Sequence, residues 1–185
     1  MADKKESSGA AARSAADVAK AWKTVEADIA RERKNHEQRG HIFVGISKEE
    51  FEKKMRRADS PFFTGAGWNS PAPWGGTINY SVGVHNPDPF AWGNLVVAIA
   101  IGNRNAIVSN DEFMTTFDAR FPTYAKPTPF GFSLAPGAST SQSFAIKIPN
   151  GVEKTAYFAN AVLQQLSFND VGKYLDRAVC FFEVA

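Results

Sequence analysis

The chain has one cysteine, three histidines and no long apolar run. A single thiol rules out an intrachain disulfide and any zinc site built on cysteines. Cys180 sits in the apolar run Ala178-Val179-Cys180-Phe181-Phe182, so it reads as a small buried hydrophobe rather than a reactive thiol. His36, His41 and His85 make no His-x-x-x-His pair, and the glycines form neither a Gly-x-Ser-x-Gly elbow nor a phosphate-cradling loop. The longest apolar block, Leu95 to Ile101, is the length of a strand and far too short to span a membrane. Met1 to Gly9 carries no apolar segment of the secretory kind. The default expectation is a cytoplasmic protein without a membrane partner, signal-independent export remaining open. A net charge of +2 gives no reason to expect a nucleic-acid partner.

Charge is scarce in one part only. Residues 1–59 hold 14 Lys and Arg with 11 Asp and Glu, whereas the twice longer remainder holds 7 and 8. That remainder also holds 13 of the 15 phenylalanines. The break near Asp59-Ser60-Pro61 divides the chain into a polar tail expected to be disordered (1–13), a helical arm (14–59) and a charge-poor domain (60–185).

What is present reads mainly as β structure. In Thr77 to Val84, Ile78, Tyr80, Val82 and Val84 alternate with Asn79, Ser81 and Gly83, the period of a strand with one buried face. Strands are also expected at Trp92–Gly102, Phe130–Leu134, Ser141–Ile148, Thr155–Leu166 and Ala178–Val184, with a short one near Phe113–Phe117. Residues 61–76, rich in Pro, Gly and aromatics, read as a loop. About seven strands with no helical pattern between them predict an antiparallel β-sandwich. Ahead of it, Ser14 opens a helix running to about Gln38, and Ser47, with Glu50 three residues on, caps a second one. Val18, Trp22, Val25 and Ile29 form a narrow seam on the first helix. Beyond Ile29 no apolar stripe continues, so that half is expected to be solvent-exposed or frayed.

Two stretches resemble an immunoglobulin-like domain. Phe132-Ser133-Leu134-Ala135-Pro136-Gly137 followed by Phe144-Ala145-Ile146-Lys147-Ile148 is similar to bacterial modules with a Leu-x-Pro-Gly turn before an alternating strand. Glu153-x-Thr155-x-Tyr157-x-Ala159 is similar in spacing to the tyrosine corner that opens strand F. The resemblance covers about residues 75–185 and implies binding, spacing or assembly rather than catalysis.

The eight carboxylates beyond residue 59 include no pair that the sequence marks as a hydrolase pair, so no catalytic residue, metal or cofactor is assigned. If strands B, C, F and G are 77–85, 94–102, 155–166 and 177–184, the B–C and F–G loops share one end. They bring Phe90, Trp92 and Tyr174 near Asp88, Asn169 and Asp170. Aromatic rings beside short polar side chains suit a sugar or a partner's loop, but Trp92 and Tyr174 also have the character of plugs for the end of the core. The seam Val18, Trp22, Val25, Ile29 must bury against its own sandwich or a second copy, and its narrowness favours the copy. The leading expectation is a non-enzymatic structural or interaction protein working as a homo-oligomer. The alternative is a carbohydrate- or ligand-binding module using the aromatic loop end.

Overall fold

The computed structural model describes residues 13–103, 121, 124–125, 131–167 and 170–185. The order is α1 (Ala15–Glu37), β1 (Ile42–Gly45), α2 (Lys48–Arg57), β2 (Phe62–Trp68), β3 (Thr77–His85), β4 (Trp92–Asn103), β5 (Tyr124–Ala125), β6 (Phe132–Leu134), β7 (Ser139–Lys147), β8 (Ala156–Ser167) and β9 (Asp170–Glu183). One sheet runs β1-β2-β3-β7. The other runs β5-β4-β8-β9, with β6 also pairing β4. All named pairings are antiparallel. This is an immunoglobulin-like sandwich preceded by two helices. The strand expected near Phe113–Phe117 lies outside the described residues.

The alternation of β3 decides which way the first sheet faces. Ile78, Tyr80, Val82 and Val84 enter the core between the sheets, where Leu95, Ile99, Leu163 and Phe182 meet them. Tyr157 enters from β8, and its hydroxyl donates to the carbonyl of Glu153 at 3.0 Å. That is the tyrosine corner anticipated from spacing. Cys180 is buried in the same core, and burial pushes its thiol up to about 12.

The outer face of the first sheet carries the helices. Ser47 caps α2 as expected, its Oγ accepting from the Glu50 N–H at 3.2 Å. Val18, Val25 and Ile29 of α1 and Phe51 and Met55 of α2 form a second core with Phe62 of β2, and Trp22 packs partly buried against it. The seam expected to face a second copy is therefore covered by the chain's own second helix and sheet. The reason lies in that sheet's outer surface. Gly45 and Gly67 leave room for α1 to lie flat, and a Cβ at Gly67 would overlap the His36 ring. His36 fills that space, stacked on Phe43 and hydrogen-bonded through Nε2 to Ser81 Oγ at 2.8 Å. The distal half of α1, expected to be exposed or frayed, is thus anchored by a buried imidazole instead of an apolar stripe.

Two further expectations change, and the segment between the helices is settled. Residues 62–68, expected as part of a loop, are strand β2, nearly all of it buried. Helices cover one face and the second sheet the other, so even the polar Thr64 is buried and no polar phase marks the alternation. Ile42–Gly45 is an edge strand paired with β2, so the segment between the helices belongs to the sheet. Finally, β9 starts at Asp170, eight residues before the expected strand, and pairs there with Ser167 where a longer loop was expected.

Candidate functional site

The connection from β3 to β4, Asn86-Pro87-Asp88-Pro89-Phe90-Ala91, is short of backbone donors because of its two prolines. Side chains hold it instead. Asn86 is fully buried. Its Nδ2 donates to the carbonyls of Phe90 and Ala135, at 2.9 and 3.0 Å, and its Oδ1 accepts from the Asp88 N–H at 3.0 Å. The loop is thereby tied to the Leu134-Ala135-Pro136-Gly137 turn. The carboxylate of Asp88 is also buried and fully engaged: Oδ2 accepts from Trp92 Nε1 at 2.6 Å, and Oδ1 from Arg13 Nη2 at 2.8 Å.

Arg13 reaches further. Its Nη1 donates to the carbonyls of Met55 and Ala58 at the end of α2, both at 2.7 Å, and its Nε donates to Pro87 O at 3.1 Å. One guanidinium therefore joins the start of α1, the end of α2 and the β3–β4 loop, and it places a cation where the last helical carbonyls collect. Sequence reading assigned Arg13 to the tail. The signal that distinguishes it is its position just before the Ser14 cap, where helix geometry fixes its direction.

Between α1 and this loop lies an open cleft of about 1100 Å³. Asp17, Lys20 and Thr24 line it from α1, Phe90 and Trp92 from the loop side, and Gln165 and Lys173 from the β8–β9 hairpin. Gln165 Nε2 donates to Gly93 O at 3.2 Å, which fixes the hairpin against the start of β4. The β3–β4 connection and the paired ends of β8 and β9 thus meet at one end.

The expected site residues divide. Asp88, Phe90 and Trp92 come together at the cleft. Phe90 is 55% exposed and stacks on Trp92 with ring centroids 5.9 Å apart. Trp92 is only 7% exposed and belongs to the sandwich core, so it is a plug that offers an edge to the cleft. Tyr174 is exposed on β9, opposite Gln164, and is not one of the cleft-lining residues. Partial burial and the Asp176 carboxylate raise its phenol above the usual value. Asp170 opens β9, and Asn169 lies outside the described residues. Lys20, Gln165 and Lys173 also line the cleft. Nothing in their sequence spacing brings them together, because three separate elements supply the wall.

His85 lies under the cleft. It is buried against Phe51 and Phe62 and hydrogen-bonded through Nδ1 to Ser139 Oγ at 2.9 Å. Burial pulls its imidazole down from 6.5 to about 4, partly offset by the carboxylate of Asp28 and reinforced by Arg13. The unfolded chain takes up a proton near pH 6.5 that the folded chain refuses until about pH 4. The stabilisation is therefore complete above pH 6.5 and is lost as pH falls through that window. His36 and His41 are lowered as well, mainly by burial, and add the same sign. At pH 5 the His85 contribution should have fallen by about 2 kcal/mol. Urea midpoints of the wild type and His85→Gln at pH 7.5 and pH 5 test this. The variant should lose less on acidification, and equal losses would remove the assignment.

Among the described residues no group of three His, Cys, Asp or Glu side chains is placed to hold a metal ion, and no helix is long and apolar enough to cross a membrane. No protein-family model and no curated protein matches the chain. Solved structures do. The C-terminal domain of Wzt superposes with a TM-score of 0.53 at 9% identity over 78% of each chain. A β-glucuronidase from glycoside hydrolase family 2 gives a TM-score of 0.45 at 11% identity, over 69% of this chain but 13% of the enzyme. A CARDB domain from Pyrococcus furiosus gives 0.40 at 14% identity, over 68% and 90%. At these identities the likeness is one of fold.

Proposed function

We propose that this protein is a non-enzymatic binding module that holds a carbohydrate chain in the cleft between α1 and the β3–β4 loop. The observation that carries the reading is the exposed Phe90 ring, braced by the buried Trp92 indole at the wall of a cleft to which Asp17, Lys20, Thr24 and Gln165 add hydrogen-bonding groups. A sugar ring offers a C–H face to an aromatic platform and hydroxyls to short polar side chains. The platform is rigid because Trp92 is fixed by Asp88, Asp88 by Arg13, and the loop backbone by Asn86. Such a site loses little ordering entropy on binding. The arm-mediated assembly reading has less support, since Val18, Val25 and Ile29 are buried within the chain.

Phe90→Ala is the variant that tests the reading. Being exposed, Phe90 should cost less than about 0.5 kcal/mol of stability when truncated. Binding to soluble polysaccharides, followed by affinity electrophoresis, should weaken about tenfold or more, or about 1.4 kcal/mol. Retention of wild-type polysaccharide binding by a folded Phe90→Ala variant would exclude the platform. Trp92 is the wrong residue for this purpose, because its loss removes core packing together with any contact.

A further inference from the structure

We infer that the saccharide taken by this cleft is acidic and sparsely charged, a glycan in which carboxylated sugars alternate with neutral ones. This rests on the binding reading above and adds the charge pattern of the ligand.

The charges lining the cleft are of two kinds. Arg13 and Asp88 neutralise each other 2.8 Å apart, with side chains 14% and 6% exposed, so neither is offered to a ligand. Lys173 is exposed, and its ammonium stands over the Trp92 ring, 5.8 Å from the centroid. The same indole carries the exposed Phe90 ring against it at 5.9 Å. One buried side chain thus holds an ammonium and an aromatic platform within reach of one or two neighbouring sugar rings. Cation–π attraction favours this lysine position before any ligand arrives. An ammonium next to an aromatic face matches a sugar whose ring lies on the aromatic and whose carboxylate accepts a charge-assisted hydrogen bond.

The rest of the lining limits how much negative charge the ligand can carry. Asp17 and Asp59 face the same cleft, with Lys20 as a cation beside them. The two carboxylates accept hydrogen bonds from hydroxyls and repel anions. A nucleic-acid strand, with a phosphate on every residue, and a polyuronate charged on every ring both meet these carboxylates. A polymer with neutral residues between its uronates places hydroxyls there instead. The Lys173 ammonium at the platform and an opposite wall on which Asp17 and Asp59 outnumber Lys20 together select that pattern.

The experiment uses the full chain and matched probes. Hyaluronan, gellan and glucuronoxylan are each titrated beside the same polymer with its carboxylates reduced to alcohols, which keeps the backbone and changes only the charge. A polygalacturonate and a single-stranded oligonucleotide complete the set. The expected result is at least one alternating polymer bound about tenfold more tightly than its reduced form. That preference should shrink as salt rises from about 50 to 500 mM. Lys173→Gln, at an exposed position, should abolish the preference while leaving the melting temperature unchanged. Equal affinity for native and reduced forms, still sensitive to Phe90→Ala, would overturn the acidic-ligand inference and leave the glycan reading standing. A preference that Lys173→Gln leaves intact would overturn the role of Lys173. No binding to any polysaccharide of the set would overturn both readings, as would tighter binding of the oligonucleotide.

Discussion

Arg13→Ala is expected to cost about 3–5 kcal/mol of stability, the range for removing one partner of a buried ion pair. The side chain satisfies four acceptors at once: the Asp88 carboxylate and the carbonyls of Pro87, Met55 and Ala58. Its removal leaves the Asp88 carboxylate almost fully buried, with only the neutral Trp92 N–H donating to it. It also strips the end of α2 of the cation that meets its last carbonyls. Arg13→Lys should recover only part of the loss, because a single ammonium cannot span acceptors that the guanidinium fork reaches from three nitrogens. The pair can be isolated with Asp88→Asn, which removes the charge and keeps an oxygen for the Trp92 N–H. The double variant should be less destabilised than the sum of the single variants, measured by urea unfolding. Additivity, or a loss below about 1 kcal/mol for Arg13→Ala, would mean that Arg13 does not carry the junction. The effect also bears on the cleft, since the chain Arg13, Asp88, Trp92 sets the position of the Phe90 platform.

The strands whose apolar residues alternate with polar or small ones were legible in the sequence. The β3 boundaries at Thr77 and His85 follow from strict alternation, and the double-proline turn after His85 marks where the loop begins. The tyrosine corner was legible because it depends on a local spacing of four residues between Glu153 and Tyr157. Strand β2 was not, because a strand covered on both faces has no polar phase and its small residues imitate a loop. The candidate site was half legible. Phe90, Trp92 and Asp88 share one loop, and the strand order alone brings that loop to the β8–β9 end. The opposite wall comes from α1, and its presence depends on how the helix docks. A helix whose distal half is charged gives no sign in sequence that it lies on a sheet. The sign is on the other partner, in glycines that line a strand face without Cβ atoms.

That dependence makes Gly67 the most sensitive position of the helix layer. Gly67→Val should destabilise the chain by about 3 kcal/mol or more, at or beyond the upper end of ordinary overpacking. Gly67 pairs with Ser81 on β3 and with Phe43 on β1, and the space above it is filled by the His36 ring, which is hydrogen-bonded to Ser81 and stacked on Phe43. A valine would have to displace that imidazole, and with it the end of α1. Valine itself favours a strand, so the penalty is steric and not one of backbone preference. His36→Ala removes the obstructing ring, and the pair Gly67→Val with His36→Ala should therefore be more stable than Gly67→Val alone. Thermal melts of the four proteins decide it: no loss in the single variant, or no rescue in the double, would sink the packing account. The same four proteins also connect the fold to the proposed activity. Asp17, Lys20 and Thr24 hold the cleft's far wall only while α1 lies flat on the glycines, so polysaccharide affinity should fall in Gly67→Val and return with the rescue, although Gly67 and His36 are absent from the cleft lining.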